Sequence, residues 1–415
     1  MDQPDLQPPQ RLHALDAVRA IALLLGIVLH ASLSFLPGGF FVIEDSSPSA
    51  ALRVIFFAIH TFRMTAFFLI AGFFGRLMLH RRGTAEFIRD RATRIVLPLI
   101  VGWIVCTALI HWIFGWAIEQ RYGTRVSASA LGWPWLWLTH LWFLYYLVWM
   151  YAIALAVRSV WVRIDSDGTL RSSIDRVVRF IVTRNLTVIA AAVPVACALY
   201  SIDSWYAWGG IPTPDRWLLP LWPTLISYGV AFGFGWLLQR QVDLLRVWEQ
   251  RWLVNLVAAI IFVGLSHVLA SGFEDAFAPE SGWYRAIYAV SYALAAWSAT
   301  LALLGLGLRF LAHESPVRRY LADSSYWLYV AHIPPVFALQ TAVMNLRLHW
   351  SLKFPVVLLV TCVVLLPIYH YWVRPTRVGE ILNGRKYPRS KLTALWQRPT
   401  QGGLRAPPGN ADQPL

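Results

Sequence analysis

The fold class is decided by the stretch Arg11-Leu-His-Ala-Leu-Asp16-Ala-Val-Arg19-Ala-Ile-Ala-Leu-Leu-Leu-Gly26-Ile-Val-Leu-His30. This apolar run is long enough to cross a membrane as a helix, yet it contains Asp16, Arg19 and His30. On a helix of about 100° per residue, Arg19 and His30 fall within about 20° of each other, about 16.5 Å apart along the axis, and Asp16 falls within about 40° of His30. Charge inside hydrocarbon is costly, so this polar stripe must face protein or water and marks a candidate site.

Composition extends this interpretation to the whole chain of 415 residues, of which 57% are hydrophobic and 14% are charged. Apolar runs of about 20 residues recur from end to end, which predicts an all-α polytopic integral membrane protein and not two or three soluble domains. The net charge of +14 is explained by basic loops that anchor the chain at the cytoplasmic face, so no nucleic-acid partner is expected. The three cysteines lack metal-ligand spacing, and no metal site is predicted.

The number of apolar segments predicts about ten transmembrane helices, near residues 13–36, 51–79, 95–118, 134–157, 182–202, 217–239, 252–271, 284–311, 324–346 and 352–373.

The connections between these segments alternate in charge. Residues 76–94 and 158–184 each hold six arginines, whereas 37–50 and 272–283 hold acidic residues and no basic one. Basic loops stay in the cytoplasm, so both termini are expected inside the cell. The short connection at 347–353, which holds Arg347 and Lys353, does not fit this alternation.

Three regions follow from this topology. Residues 1–10 are expected to be a disordered tail, residues 11–373 the transmembrane domain, and residues 374–415 a basic, disordered cytoplasmic tail. Asp16 and Arg19 interrupt the first apolar run early, which indicates a retained first span and not a cleaved signal peptide.

Further polar residues lie inside the second predicted span. With both termini inside, His30 is placed in the outer half of the first span, and His60 could lie at a similar depth on the adjacent helix. Arg63 lies one turn deeper than His60, near mid-membrane. A single histidine in a bundle is most simply explained by a helix–helix hydrogen bond. Two histidines with an arginine in mid-span favour a functional site.

Arg91 and Arg94 open the third span from the cytoplasm, one turn apart and on one face. Such a pair can anchor the helix at the inner membrane surface, or it can bind a phosphate with two guanidinium groups. The spacing alone does not decide between these two roles.

Two more histidines complete the set of candidates. His140 enters the fourth span from outside, and His332 is placed in the inner half of the ninth span. Pro334 and Pro335 follow His332 and break its helix, which at membrane depth indicates a lined cavity.

At these residues the sequence resembles the acyltransferase-3 superfamily of membrane O-acyltransferases. Within it, the chain is similar to the glucan biosynthesis protein C group, which transfers succinyl groups onto osmoregulated periplasmic glucans. The resemblance runs through most of the chain and is carried by Leu15-Asp16-Ala-Val-Arg19 with ten residues to His30, His60-Thr-Phe-Arg63-Met64 followed by Phe67-Phe68-Leu-Ile-Ala-Gly72-Phe73, Arg91-Ala-Thr-Arg94 running into Pro98, His140-Leu-Trp-Phe-Leu144, and Tyr329-Val-Ala-His332-Ile-Pro334.

Two positions depart from the pattern of this family. Ala71 stands where a serine usually precedes the glycine, and Ile333 follows His332 where a second histidine is expected. The second departure bears on a catalytic role for His332.

The resemblance implies a multi-pass enzyme of the bacterial inner membrane that moves an acyl group, with succinyl expected, from cytoplasmic acyl-CoA to hydroxyls of a periplasmic glucan. His30 would be the catalytic residue, either as a general base or as a transient acyl carrier. Asp16 would orient and balance Arg19, and His60 or Arg63 would stabilise the developing oxyanion.

The remaining candidates divide into two groups: Arg19, Arg91 and Arg94 would bind the phosphates of CoA, and His140, His332 and Gly26 would line the acceptor end or the channel. Gly26 would leave room for the pantetheine arm. Acyl-CoA is then a co-substrate, and no permanently bound cofactor is expected. The expected partners are acyl-CoA, an envelope glycan and the lipid bilayer.

Two alternative functions remain open. The same chemistry could act on another acceptor, for example by acetyl transfer to O-antigen, exopolysaccharide or peptidoglycan. A protein of another class, a glycan or lipid exporter, could use the same charged residues as a translocation path.

Overall fold

The structure, a computed structural model, describes residues 8–38, 41–124, 137–214, 218–273, 277–278, 282–384 and 386–387, with the side chains of 8–12 and 277–278 left aside. The described chain is almost entirely helical, which confirms the all-α class. The helices are α1 Pro8–Ser32, α2 Ala50–Arg91, α3 Leu97–Tyr122, α4 Trp142–Ile164, α5 Thr169–Thr183, α6 Thr187–Tyr200, α7 Trp222–Leu238, α8 Leu245–Gln250, α9 Trp252–Ser271, α10 Trp283–Phe310, α11 Pro316–Ala331, α12 Ile333–Val343, α13 Trp350–Ile368 and α14 Arg377–Asn383. Two short strands, β1 Trp205–Tyr206 and β2 Phe277–Ala278, pair antiparallel.

Each of the ten predicted segments contains a helix. By length and composition, six helical runs of the described chain can cross a membrane, or seven if the bent pair α5–α6 is one span. This number is smaller than the ten spans predicted from the sequence, for three physical reasons. The run Ala50–Tyr122 counts once, although its 73 residues are too many for one crossing. Helix α7 has only 17 residues, and the ninth segment is divided between α11 and α12.

The connection predicted at 76–94 is helical. Helix α2 continues through it to Arg91, and its regular geometry is interrupted only at Gly83, where φ is 78° and ψ is 173°. This φ lies in the left-handed region that glycine adopts without steric cost. The basic connection is therefore part of a long helix with one break at Gly83, and not an irregular loop.

The predicted connection at 158–184 also contains a helix. Helix α5 meets α6 at 105°, and two ion pairs hold it against the segment that follows α7. Arg179 donates to both carboxylate oxygens of Asp243 at 2.7 and 3.2 Å, and Arg240 donates to Asp175 at 2.5 and 2.9 Å. Helix α5 is amphipathic, and an amphipathic helix at a steep angle to its neighbour is typical of helices that lie in the membrane interface.

Both predicted tails contain helix where the structure describes them. Helix α1 begins at Pro8, within the predicted tail 1–10, and α14 lies within 374–415. Nη2 of Arg94 donates to the carbonyl of Leu382 at 3.1 Å, so α14 contacts the start of α3. Residues 1–7 and 388–415 lie outside the described residues.

Helices α2 and α7 cross at unusually short range because each has a glycine at the crossing. A Cβ on Gly72 would overlap the carbonyl of Phe232, and a Cβ on Gly235 would overlap the carbonyl of Leu69. Small residues let helix backbones approach closely in membranes, where van der Waals packing replaces the hydrophobic effect between helices. This crossing fixes the helix that carries His60 and Arg63.

Lys353, which did not fit the charge alternation, forms a buried ion pair. Its Nζ donates to both carboxylate oxygens of Asp45 at 2.9 and 3.1 Å and to Oγ of Ser46 at 3.2 Å. The side chains of Lys353 and Asp45 are 1% and 0% exposed. The positive charge is thus neutralised within the protein, which explains why it can lie outside a basic loop.

Candidate active site

At the basic end of the polar stripe of α1, the side chains of Asp16 and Arg19 are 41% and 38% exposed. Nη2 of Arg19 lies 3.1 Å from Oδ1 of Asp16, and Arg19 borders a cavity. A Cβ on Gly26 would overlap Nη1 of Arg63, so the space beside Gly26 holds that guanidinium. His30 lies further along the same stripe, among other histidines.

Three histidines from distant parts of the chain meet at this point. The ring centroid of His332 lies 5.2 Å from that of His30 and 5.2 Å from that of His140, and the rings of His30 and His140 are 6.4 Å apart. We refer to His30, His140 and His332 as the histidine cluster. It joins α1, the turn that precedes α4, and the junction of α11 and α12.

His332 is held in a defined tautomer. Its Nδ1 lies 2.8 Å from the carbonyl oxygen of Tyr329 and 3.0 Å from that of Leu328. Carbonyl oxygens only accept hydrogen bonds, so Nδ1 must donate and therefore carries the ring proton. Nε2 then has a lone pair, and it is buried with no hydrogen-bond partner in the described chain.

The contact between His332 and His30 corrects one prediction. The sequence placed His332 in the inner half of its span and His30 in the outer half of the first. Their rings are adjacent, so the deeper placement of His332 is wrong. The reason is that α11 begins at Pro316, well before residue 324, and carries His332 further from the basic end of the bundle.

His140 uses both of its ring nitrogens. Nε2 donates to the carbonyl of Val330 at 3.1 Å, and Nδ1 lies 3.2 Å from the hydroxyl of Thr139, which donates to it. The hydroxyl of Tyr329 donates to the backbone carbonyl of His140 at 2.7 Å. Thr139 has a φ of 50°, an uncommon value for a β-branched residue that is retained where the surroundings enforce it. These contacts fix α11 against the start of α4.

His60 and Arg63 lie on the face of α2 that approaches the cluster. Nδ1 of His60 and Nε of Arg63 are buried without a hydrogen-bond partner in the described chain. Arg63 is close enough to interact electrostatically with His60 and with all three histidines of the cluster. No carboxylate among the described residues forms an ion pair with it. A buried guanidinium without a counter-ion is costly, which favours an anionic partner that is present only during function.

A cavity of about 370 Å³ leads from the basic end of the bundle toward the cluster. We refer to it as the arginine cavity, because its lining includes the side chains of Arg19, Arg81, Arg82, Arg91 and Arg94. Its other lining residues include Phe67, Phe143 and Tyr329. The ring of Tyr329 lies 5.5 Å from that of His140 and 6.4 Å from that of His332. No histidine of the cluster lines the cavity, and Tyr329 is the lining residue whose ring lies near two of them.

Asp90 organises the arginines and was not identified from the sequence. Its carboxylate lies 2.5 Å from Nη2 of Arg91, 3.7 Å from Nη1 of Arg94 and 3.9 Å from Nη1 of Arg82. Arg91 also donates to the hydroxyl of Tyr151 at 3.4 Å. A single acid between arginines, in Arg89-Asp90-Arg91, was the available signal. Because one carboxylate serves three guanidinium groups, the site keeps an excess of positive charge.

Similarity to known proteins extends over most of the chain. A family model described as an acyltransferase domain matches residues 12–370. The chain is 24% identical over 333 residues to "Glucans biosynthesis protein C" of Escherichia coli O139:H28 (strain E24377A / ETEC), which is 79% of this chain and 82% of that protein. The protein of the same description from Escherichia coli O17:K52:H18 (strain UMN026 / ExPEC) gives the same identity and coverage. That from Escherichia coli O1:K1 / APEC is 31% identical over 145 residues, 34% of this chain and 37% of that protein. No solved structure matches the chain significantly.

Proposed function

The chain belongs to this acyltransferase family, whose domain spans residues 12–370, and on that basis we propose that it moves an acyl group from cytoplasmic acyl-CoA to a hydroxyl of a periplasmic glucan. The glucan acceptor is proposed because the similar proteins are described as glucan biosynthesis proteins. The enzyme would act from the bacterial inner membrane, with its basic end in the cytoplasm according to the distribution of arginines.

The observation that carries this proposal is the course of the arginine cavity. It has five arginines in its lining and ends at Tyr329 beside the histidine cluster. Guanidinium groups bind phosphate with two parallel hydrogen bonds, so the phosphates of CoA would lie against Arg19, Arg91 and Arg94. The pantetheine arm would then extend along the cavity and bring the thioester to the cluster. The donor is made in the cytoplasm and the acceptor lies outside, so a path through the protein is required.

The reaction then needs a base and a site for negative charge. We propose that His30 removes the proton from the glucan hydroxyl as its oxygen attacks the thioester carbon. Arg63 would stabilise the oxyanion of the tetrahedral intermediate. When the carbon–sulfur bond breaks, the proton passes from His30 to the leaving thiolate, which gives free CoA and the glucan ester. His332 would support His30 by accepting a hydrogen bond from its protonated ring through the free Nε2 lone pair.

A succinyl donor would bring a carboxylate as well as a thioester. Arg53 lies seven residues before His60 on α2, within about 20° of it around the helix. Its guanidinium lies 5.0 Å from the ring centroid of Trp208, and it has no ion-pair partner among the described residues. We propose Arg53 as the group that receives the succinyl carboxylate.

The test is transfer of label from radioactive succinyl-CoA to purified periplasmic glucan by the protein in proteoliposomes. We expect transfer by the wild type and loss by His30→Ala with unchanged thermal unfolding. Acetyl-CoA should be the poorer donor, and Arg53→Gln should reduce the preference for succinyl-CoA. Export of glucan across vesicles without any dependence on acyl-CoA would contradict the proposal and support the exporter.

The same assay without acceptor distinguishes the two roles of His30. As a general base, His30 leaves no label on the protein. Label that stays bound to the wild type and is absent from His30→Ala would show that His30 carries the acyl group.

A further inference from the structure

A second cavity, of about 620 Å³, lies on the outer flank of the bundle between α2, α4, α5 and α7. We refer to it as the flank groove. It shares no lining residue with the arginine cavity, and no histidine of the cluster lines it. Ile153, Val157 and Ile226 lie along it with exposed fractions of 39%, 55% and 40%. In a protein that spans a membrane, apolar side chains exposed in this way face lipid tails.

Two glycines keep the groove open. Gly229 and Gly233 lie one turn apart on α7 and both line the groove. A Cβ on Gly233 would meet no atom within 4 Å, and a Cβ on Gly229 would only contact Met150 at 3.9 Å. Neither glycine is needed for close helix packing, in contrast to Gly235 on the same helix. The groove is thus an apolar space that the protein itself does not fill.

One end of the groove has excess positive charge. Arg171 and Arg240 line it and are paired with Asp165 and Asp175. Arg76 and Arg158 also line it, and no carboxylate among the described residues forms an ion pair with either.

The protein satisfies the guanidinium of Arg76 only in part. Nε of Arg76 is buried without a hydrogen-bond partner in the described chain, and its guanidinium lies 5.9 Å from the ring centroid of Trp236. Two guanidinium groups at the mouth of an apolar groove form a site for an anion that has an apolar chain attached.

We propose that the flank groove binds an anionic membrane phospholipid. Its phosphate lies between Arg76 and Arg158, and an acyl chain lies along Gly229 and Gly233. Helix α5 closes the headgroup end, where its ion pairs to the segment after α7 hold it in place. A phospholipid with a zwitterionic headgroup offers the same phosphate but also a cation, which would be repelled by the same arginines.

Lipid binding can be measured on the whole protein in detergent by native mass spectrometry, with titration of phosphatidylglycerol or phosphatidylcholine. We expect phosphatidylglycerol to bind at least 10-fold more tightly. Gly233→Leu places an apolar side chain in the acyl-chain space, where a Cβ meets no atom within 4 Å, and should abolish this preference. Gly264→Leu on α9 is the matched control, because a Cβ there also meets no atom and Gly264 does not line the groove.

The headgroup contact is tested by charge removal. Each of Arg76→Gln and Arg158→Gln should weaken phosphatidylglycerol about 5-fold, since one basic side chain near the headgroup contributes about that factor. Arg163→Gln, on α4 but outside the groove, should have no effect. Equal binding of the two lipids, or retention of the preference by Gly233→Leu, would overturn the proposal. So would displacement of the lipid by CoA, which would assign the groove to the acyl donor.

Discussion

Nη1 of Arg63 occupies the space that a Cβ atom on residue 26 would fill, so the guanidinium can lie against α1 at this point because residue 26 is glycine. The sequence suggested that Gly26 leaves room for a substrate. The structure shows a protein side chain in that room, and it is the cation that faces the histidine cluster. Position 26 therefore controls where the positive charge of the site lies.

Replacement of Gly26 by alanine should move this guanidinium without unfolding the protein. We expect kcat to fall about 100-fold, as for the loss of one group that stabilises an oxyanion. The stability cost should lie at the low end of the usual range of about 1–3 kcal/mol for overpacking, because the end of the Arg63 side chain can shift. Gly264→Ala is the control because it meets open space. A double variant Gly26→Ala/Arg63→Ala should be no slower than Arg63→Ala alone, because both changes act through the same group.

The arginine pair should determine the affinity for acyl-CoA. Arg91→Gln and Arg94→Gln should each raise KM for acyl-CoA by roughly 10-fold or more, since a charged hydrogen bond contributes about 1.5–3 kcal/mol. The value of kcat at saturation should change little, because these residues lie at the far end of the arginine cavity from the histidines. Arg89→Gln, which is exposed and outside the cavity, serves as the control. An unchanged KM would leave the pair with membrane anchoring alone.

His332 is a positioning residue in this proposal, and its substitution should affect the two kinetic constants differently. We expect His332→Gln to lower kcat about 100-fold and to leave KM for acyl-CoA unchanged, because His332 does not line the arginine cavity. His313→Gln removes an exposed histidine and should change neither constant. A rise in KM at constant kcat would show instead that His332 acts in donor binding.

The ion pair of Asp45 and Lys353 should behave as a buried pair that is costly to break and unnecessary to keep. Burial raises the pKa of the Asp45 carboxyl, and hydrogen bonds from Lys353 and the amide of Ser47 oppose this shift only in part. Lys353→Met alone leaves a buried charge and should reduce the free energy of unfolding by about 3–5 kcal/mol. The double variant Asp45→Leu/Lys353→Met should regain most of the lost free energy of unfolding, as measured by thermal unfolding in detergent. If the double variant is less stable than the single variant, the pair contributes more than its desolvation costs.

The proposed orientation can be tested by labelling of single cysteines in intact cells. The background variant has Cys106, Cys197 and Cys362 replaced by alanine. A single cysteine is then introduced either as Asp167→Cys, between α4 and α5, or as Asp203→Cys, after α6. Both sites are exposed. An impermeant maleimide should label position 203 and not position 167, because the basic end is expected in the cytoplasm. The reverse pattern would place the arginine cavity outside and contradict access by acyl-CoA.

The sequence by itself determined the class of the protein and identified the polar stripe of its first helix. The apolar runs required helices in a membrane, and the costly residues Asp16, Arg19 and His30 had to lie on one stripe that faces protein or water. Both conclusions depend on the local period of a helix and on the cost of charge in hydrocarbon, which act within one segment. The arginines were recognised for the same reason, although their shared partner Asp90 was not.

Only the tertiary structure decided which distant residues meet. The contact of His332 with His30 depends on where α11 begins and breaks, and the burial of Lys353 depends on Asp45, which is far away in the chain. Helical periodicity contains no information on the order in which helices pack, because every apolar face is equally acceptable to lipid. The packing is selected by small residues such as Gly72 and Gly235, each matched to the backbone of one particular neighbour. The histidine cluster and the arginine cavity are therefore products of helix packing, assembled from residues that the sequence could identify only one at a time.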